Sequence, residues 1–292
     1  MKGEGFMMGH YRTNPAGSCA SMRQSGGGRR LWMCVLVTLL PLILIILPGC
    51  YAEAPEESPW SQSTIPAPSS EITDGRAIVE RAVTFMNGQQ ELAFEAMVTY
   101  GAVQEDGQKV HFDMLQKMAI RKPDQLFWMT LFDDASSHSA WFNRGEFTLV
   151  KQPANLWGQV IVPPSIGDGV SRISSEYSID VPFVDILSGD PLDLWLGEDT
   201  QSVDYVGPAW IGGWWTDHVA IRKSGVDFEL WFRQGEEPFP MRIELVFTAE
   251  AQLPGYSARF ERWSTTLTDK AIPEFVPPTD SERVEVVPVV SN

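Results

Sequence analysis

The sequence predicts a mainly β fold of the α+β class, in which helices cover one face of an antiparallel sheet. Three observations support this. Apolar and polar residues alternate through the stretch 205–248, between breaks rich in Gly and Pro. Such alternation is typical of strands with one buried face. Earlier in the chain, between 92 and 162, further alternating segments succeed one another at short intervals. Apolar residues spaced three or four apart occur mainly in two places.

The first 49 residues have the pattern of an export signal. Basic residues between Arg23 and Arg30 precede the apolar run 31–47, and Leu47, Pro48 and Gly49 come directly before Cys50. A basic region, an apolar region and a small residue before the cleavage point are the parts of such a signal. The stretch resembles a bacterial lipoprotein signal, in which the cysteine is lipidated and becomes the mature N-terminus.

An uncleaved anchor helix is the alternative for this stretch. A spanning helix needs about 20 apolar residues, whereas the run 31–47 is shorter and contains Pro41. Lipidation of Cys50 is therefore favoured. Both alternatives export the domain to the periplasmic side of the cell envelope and hold it at a membrane. Tyr51 after the cysteine favours the outer over the inner membrane.

A tether and one helix come next. Residues 50–70 are rich in Pro, Ser and Glu, which predicts a flexible connection. A helix begins near Ser69 or Asp74, both of which are suitable N-cap residues, and ends at Asn87-Gly88. Its apolar face consists of Ile78, Val79, Ala82, Val83 and Met86.

The folded domain is predicted over 71–278. Strands are expected at 92–100, 110–120, 126–132, 139–143, 147–151 and 156–162, in the meander 205–248, and at 256–260. Between 165 and 199 the spacing predicts short helices that cross one face of the sheet. Residues 279–292 are acidic and Pro-rich, which predicts a partly ordered tail.

Composition excludes several classes of function. The net charge is −16, and after Cys50 there are 17 basic and 37 acidic residues, a net charge of −20. A body this acidic is repelled by phosphate backbones, so nucleic-acid binding is not expected. The three cysteines are Cys19, Cys34 and Cys50, which excludes a disulfide framework in the folded part.

Four blocks of sequence carry a resemblance to a known family. The chain resembles the bacterial family called domain of unknown function 2092, whose members are predicted to be periplasmic. It departs from the commoner pattern of that family at Thr216, where a cysteine is frequent. The matching blocks are Gly-Gln-Lys-Val at 107–110, Arg-Lys-Pro-Asp-Gln-Leu at 121–126, Phe-Asn-Arg-Gly-Glu-Phe-Thr-Leu at 142–149, and Tyr-Val-Gly-Pro at 205–208 with 217–220 and 228–231.

The resemblance implies the architecture of the lipoprotein carriers LolA and LolB. In that architecture a curved antiparallel sheet forms an incomplete barrel, and helices close its hydrophobic concavity. The domain also contains many large aromatic side chains, which suit an apolar cavity and equally suit an ordinary core; they include Trp128, Trp141, Trp157, Trp195, Trp210, Trp214, Trp215 and Trp231. The residues expected to face inward and line a ligand cavity are Phe94, Val98, Phe112, Met114, Trp128, Val219, Ile221, Phe228, Leu230, Ile243, Leu245 and Phe247.

Polar candidates offer no support for an enzyme. Asp217 and His218 are adjacent on a predicted strand and therefore point to opposite faces, so we expect a structural role for both. His111, His138 and His218 lack the spacing of metal ligands. No phosphate loop or nucleophile elbow is present. We therefore expect no enzyme activity, no metal and no cofactor.

The leading interpretation is a membrane-tethered envelope lipoprotein that binds a lipid, an acyl chain or a lipidated protein in a half-barrel. The alternative is an interaction or sensor module that contacts an envelope protein without a bound lipid. A filled core together with an exposed apolar patch would favour that alternative. A hydrolase, the third interpretation, requires a convergent polar cluster that the sequence does not provide.

Overall fold

The computed structural model describes residues 67–183, 186 and 191–289. The helices in these ranges include α1 (Gly75–Gly88), α2 (Ile166–Tyr177) and α3 (Pro191–Leu196). The strands are β1 (Glu91–Val103), β2 (Lys109–Arg121), β3 (Gln125–Phe132), β4 (Ser137–Asn143), β5 (Glu146–Gln152), β6 (Leu156–Ile161), β7 (Thr200–Ile211), β8 (Trp214–Lys223), β9 (Val226–Arg233), β10 (Pro240–Phe247), β11 (Gly255–Ser264) and β12 (Glu282–Arg283).

All of these strands belong to one open sheet. Its order is β12-β6-β5-β4-β3-β2-β1-β11-β10-β9-β8-β7, so consecutive hairpins form two wings that meet where β1 pairs with β11. The neighbouring strands run antiparallel, except that β12 lies parallel to β6. The predicted fold class is confirmed: a mainly β, curved antiparallel sheet with helices over its inner face.

The hairpin between β7 and β8 has a two-residue turn. Gly212 and Gly213 both have positive φ, at 60° and 88°. A two-residue turn whose twist matches that of the flanking strands requires a positive φ at both residues, and glycine adopts a positive φ without a steric cost. The turn places Ile211 opposite Trp214 and Trp210 opposite Trp215.

Helix α1 packs its apolar stripe on the inner face of the second wing. Asp74 is its N-cap, because its carboxylate accepts from the amides of Arg76 and Ala77. At the other end the ammonium of Lys122 lies 3.4 Å from the carbonyls of Met86 and Asn87, where a cation complements the helix dipole. The helix predicted from the sequence is therefore confirmed, with the same buried stripe.

Helix α2 covers the first wing from the same side. Its Ile166, Val170 and Ile173 belong to the apolar core cluster. Gly169 is required for the close approach, because a Cβ at this position would lie 2.3 Å from Cε2 of Phe142. The expected short helices between 165 and 199 are confirmed by α2 and α3.

The tail segment (residues 265–289) crosses the outer face of the first wing. The ring of Phe275 packs between Trp141 and Trp157, with ring centroids 5.2 Å from each. The indole N–H of Trp141 donates to the carbonyl of Pro273 at 3.0 Å. The segment then runs beside β6 as β12. The sequence predicts only partial order from 279 onward, and the structure shows backbone hydrogen bonds from this part to 155, 157 and 176.

Candidate functional site

The inner face of the sheet is the candidate site, and the expected residues line it. Of the twelve inward candidates, Phe94, Val98, Trp128, Val219, Ile221, Phe228, Leu230 and Ile243 are buried in the core cluster. Met114 and Leu245 are half-buried against that cluster. Phe112 and Phe247 are half-buried and lie outside it. A role of these side chains in ligand binding remains a prediction.

Phe183 fills the middle of this inner face from a separate segment of chain. Its ring centroid lies 5.0 Å from that of Phe260, 5.5 Å from that of Phe94 and 6.2 Å from that of Tyr256. Burial raises the pKa of the Tyr256 phenol, so this part of the face is apolar in character. The inner face is thus closed by the chain's own side chains.

The backbone of Phe183 is strained in this position. Its φ is +54°, in the left-handed region that bulky residues rarely occupy. Such a conformation costs about 1–2 kcal/mol and persists only where the surroundings impose it. Val181 and Ile186, on either side, are also buried in the core cluster. The segment is therefore held in place by its apolar contacts against an unfavourable backbone.

A buried polar cluster fixes α1 at the end of β8. Nη2 of Arg81 lies 3.1 Å from Oδ2 of Asp217, which is completely buried. The side-chain amide of Gln234 donates to Oδ1 of Asp217 at 2.8 Å. Oε1 of Gln234 in turn accepts the backbone N–H of Ser69 at 2.8 Å, ahead of α1. Burial and the charge of Asp217 raise the pKa of nearby Tyr205.

His218 lies on the opposite, outer face of the sheet, as expected because it is adjacent to the inward-facing Asp217 on a strand. Its ring stacks on Trp231 with centroids 4.1 Å apart, and Nε2 lies 2.8 Å from Oε2 of Glu229. The guanidinium of Arg242 covers the Trp231 ring at 4.8 Å. Asp217 and His218 are therefore bound to different partners on different faces. Asp217 and His218 therefore do not form a carboxylate–imidazole pair with each other, and the carboxylate beside His218 is that of Glu229.

The described residues contain no group of three or more His, Cys, Asp or Glu side chains that could hold a metal ion. Two polar surface grooves are present. One of about 340 Å³ is lined by Asp74, Arg76 and residues 200–203, and one of about 450 Å³ is lined by Gln159 and residues 283–286. Neither groove includes an inward-facing candidate.

The predicted anchor lies outside the described residues. This applies to Leu47, Pro48, Gly49 and Cys50, to the apolar run 31–47, and to the tether as far as Pro66. Within the part of the chain that the structure describes, none of the helices is sufficiently long and apolar to span a bilayer.

Two tryptophans that the sequence groups with the cavity aromatics are exposed instead. Trp210 and Trp214, beside the tip of the β7–β8 hairpin, have 40% and 49% of their surface exposed. The Trp210 ring meets Trp215 edge to face at 5.4 Å, and the guanidinium of Arg233 lies 4.5 Å from the centroid of Trp214. These contacts hold both rings at the surface.

Comparison with known proteins identifies the family. The model of the family described as "Predicted periplasmic protein (DUF2092)" matches residues 75–287. The chain belongs to this family. The resemblance predicted from sequence blocks is thereby confirmed, and the DUF2092 match extends from α1 through the tail segment. No curated protein matches the sequence.

Several solved structures are similar to this DUF2092 protein at low identity. LprF from Mycobacterium bovis shares 10% identity over 72% of this chain and 100% of its own, with a TM-score of 0.42. The Mycobacterium tuberculosis lipoprotein LppX shares 10% over 66% and 97%, with a TM-score of 0.39. A LolA superfamily protein from Nitrosomonas europaea shares 10% over 70% and 99%, with a TM-score of 0.29. At these values the likenesses say nothing about what this chain binds.

Sequence reasoning missed the two features that distinguish this inner face. Phe183 follows Pro182 in an apolar stretch, and no local pattern indicates a left-handed backbone at a phenylalanine. Arg81 lies on α1 outside the apolar stripe, and its contact with Asp217 spans 136 residues. The burial of the Asp217 carboxylate could be predicted from the strand alternation, because Asp217 shares a strand face with Val219 and Ile221.

Proposed function

We propose that this chain is a periplasmic lipoprotein, tethered to a membrane through Cys50, whose half-barrel binds a lipid, an acyl chain or a lipidated protein. The single observation that supports ligand binding is the strained insertion of Phe183 between the aromatic rings of Phe94, Tyr256 and Phe260 on the inner face. A ligand that replaced the Phe183 ring would keep the face dry and release the strained backbone. Burial of its apolar surface contributes about 25 cal/mol per Å².

The membrane tether is the second part of the proposal and rests on the sequence. Cys50 follows a basic region and an apolar run, and the folded unit begins 17 residues later, at Ala67. A Cys50→Ala variant, followed by cell fractionation, tests this point. We expect the variant to leave the membrane fraction. Retention there would contradict lipidation and support the uncleaved helix.

Ligand binding is tested on protein purified from its host. Mass spectrometry is expected to find bound lipid, and an environment-sensitive apolar probe is expected to compete with it. Phe183→Ala, which empties the middle of the inner face, is expected to increase probe binding several-fold. Phe275→Ala is the matched control, because it removes the same ring from the outer face. Absence of both lipid and probe binding in every variant would refute the proposal.

An interaction or sensor module is the second candidate function. It is favoured by the filling of the inner face by the chain's own side chains, together with the exposed Trp210 and Trp214. If neither lipid nor probe enters the half-barrel, the inner face acts as a core. The scaffold would then present its outer surface and hairpin to an envelope protein.

A further inference from the structure

The tip of the β7–β8 hairpin is an uncharged, aromatic end on a strongly acidic protein. From Tyr205 to Thr216 the sequence contains no Asp, Glu, Lys or Arg, although 21% of the whole chain is charged. Trp210 and Trp214 are the two tryptophans among the exposed large apolar side chains of the described residues, and Val206 in the same strand is 58% exposed. Acidic surface is repelled by anionic head groups, so this hairpin is the part that approaches a bilayer at least cost.

The chain enters the folded domain beside this hairpin. Ser69, two residues after the described part begins at 67, donates its backbone N–H to Oε1 of Gln234, and the backbone N–H of Gln234 donates to the carbonyl of Trp215 at 2.9 Å. The predicted tether, residues 50–70, therefore ends two hydrogen bonds from Trp215, next to the aromatic tip. On the proposed function, Cys50 is the membrane anchor, and 17 positions of sequence separate it from Ala67 at this end of the domain.

We propose that the tip of this hairpin, with Trp210 on one face and Trp214 on the other, is a docking surface for the membrane that holds the tether. Indole rings favour the boundary between acyl chains and head groups, where the ring is apolar and the N–H remains hydrated. Both rings are already oriented, by Trp215 and by Arg233, so docking orders few side chains. This inference rests on the membrane tether of the proposed function, which raises the effective concentration of a weak contact.

The same strand is poorly suited to pair with another strand. β7 is an edge of the sheet, but Pro208 has no N–H to donate and the register shifts between Tyr205 and Gly207. Asp204, which is exposed further along the edge, adds a charge. These features blunt strand addition by a second copy or an extended peptide. The aromatic tip is thus free of any strand-pairing role and remains open to other contacts.

Quenching of tryptophan fluorescence tests the inference on the full chain. The wild type, Trp210→Ser/Trp214→Ser and Trp210→Tyr/Trp214→Tyr are reconstituted into phosphatidylcholine vesicles whose acyl chains carry bromine near the head group. We expect the bromolipid to quench the wild type and the serine variant to lose at least about half of that quenching, because interfacial indoles lie within reach of the quencher. Membrane dissociation of the tyrosine variant is expected to match the wild type, because tyrosine also favours the interface.

An Ile161→Ser/Val276→Ser variant is the control, since these side chains are 72% and 73% exposed elsewhere on the domain. It is expected to leave quenching and thermal unfolding unchanged. Equal quenching of the wild type and the serine variant would overturn the inference. So would cross-linking between copies that needs the two tryptophans and no vesicle. If cell fractionation finds the wild type outside the membrane fraction while the tip is still quenched in vesicles, the proposed tether fails and the docking surface stands.

Discussion

Cutting the ion pair between Arg81 and Asp217 is expected to destabilise the domain strongly. Arg81→Met leaves the Asp217 carboxylate completely buried without its cation. Breaking a buried pair in this way costs about 3–5 kcal/mol. Here the side chain of Arg81 is 30% exposed and Gln234 still donates to Asp217, so a smaller loss of about 2–3 kcal/mol is expected. The measurement is urea unfolding at pH 7, followed by tryptophan fluorescence.

The exposed pair of Arg222 and Asp227 is the control for this experiment. Its side chains are 63% and 35% exposed, so Arg222→Met is expected to cost less than about 0.5 kcal/mol. Adding Asp217→Asn to Arg81→Met removes the unpaired charge, and the double variant is expected to be more stable than Arg81→Met alone. A loss below about 0.5 kcal/mol for Arg81→Met would refute the assignment of the cluster as the fixed point of α1.

Three further predictions concern packing, pH and the tail segment. Gly169→Ala is expected to cost about 1–3 kcal/mol in the free energy of unfolding, because its Cβ would overlap the ring of Phe142, whereas Gly88→Ala meets no neighbour and is the control. Burial lowers the pKa of His138, so unfolding takes up a proton below about pH 6.5; stability is expected to fall from pH 7 to 5, and less steeply in His138→Gln. Phe275→Ala is expected to speed hydrogen exchange at 282 and 284, whose amides bond to the β6 region, and unchanged exchange would contradict the role of that ring.

The strand pattern was predictable because one buried face forces a period of two. The alternation of Phe228, Leu230 and Ile243 follows directly from their place over the core. The same rule identified Asp217 and His218 as residues of opposite faces. Helix α1 was equally predictable from the sequence, since Asp74 is a suitable N-cap and the apolar residues have the helical spacing.

Other features were not predictable because they depend on contacts far apart in the chain. Trp210 faces the same way as Trp215, yet it is exposed because β7 is the last strand of the sheet and none of the described elements covers its tip. The order of Phe275 depends on two tryptophans more than 100 residues earlier. Composition alone describes such a segment as polar and Pro-rich, and does not reveal the surface on which it lies.

The tail segment also determines when, during synthesis, the free edge of β6 is protected from pairing with another copy of the chain. The free side of β6 stays bare until 282–284 are made, about 120 residues after the strand itself, and Trp157 lacks Phe275 for almost as long. Bare strand edges of unfinished chains pair readily with one another. The interval between making β6 and covering it is therefore a period in which two nascent copies can pair through this edge.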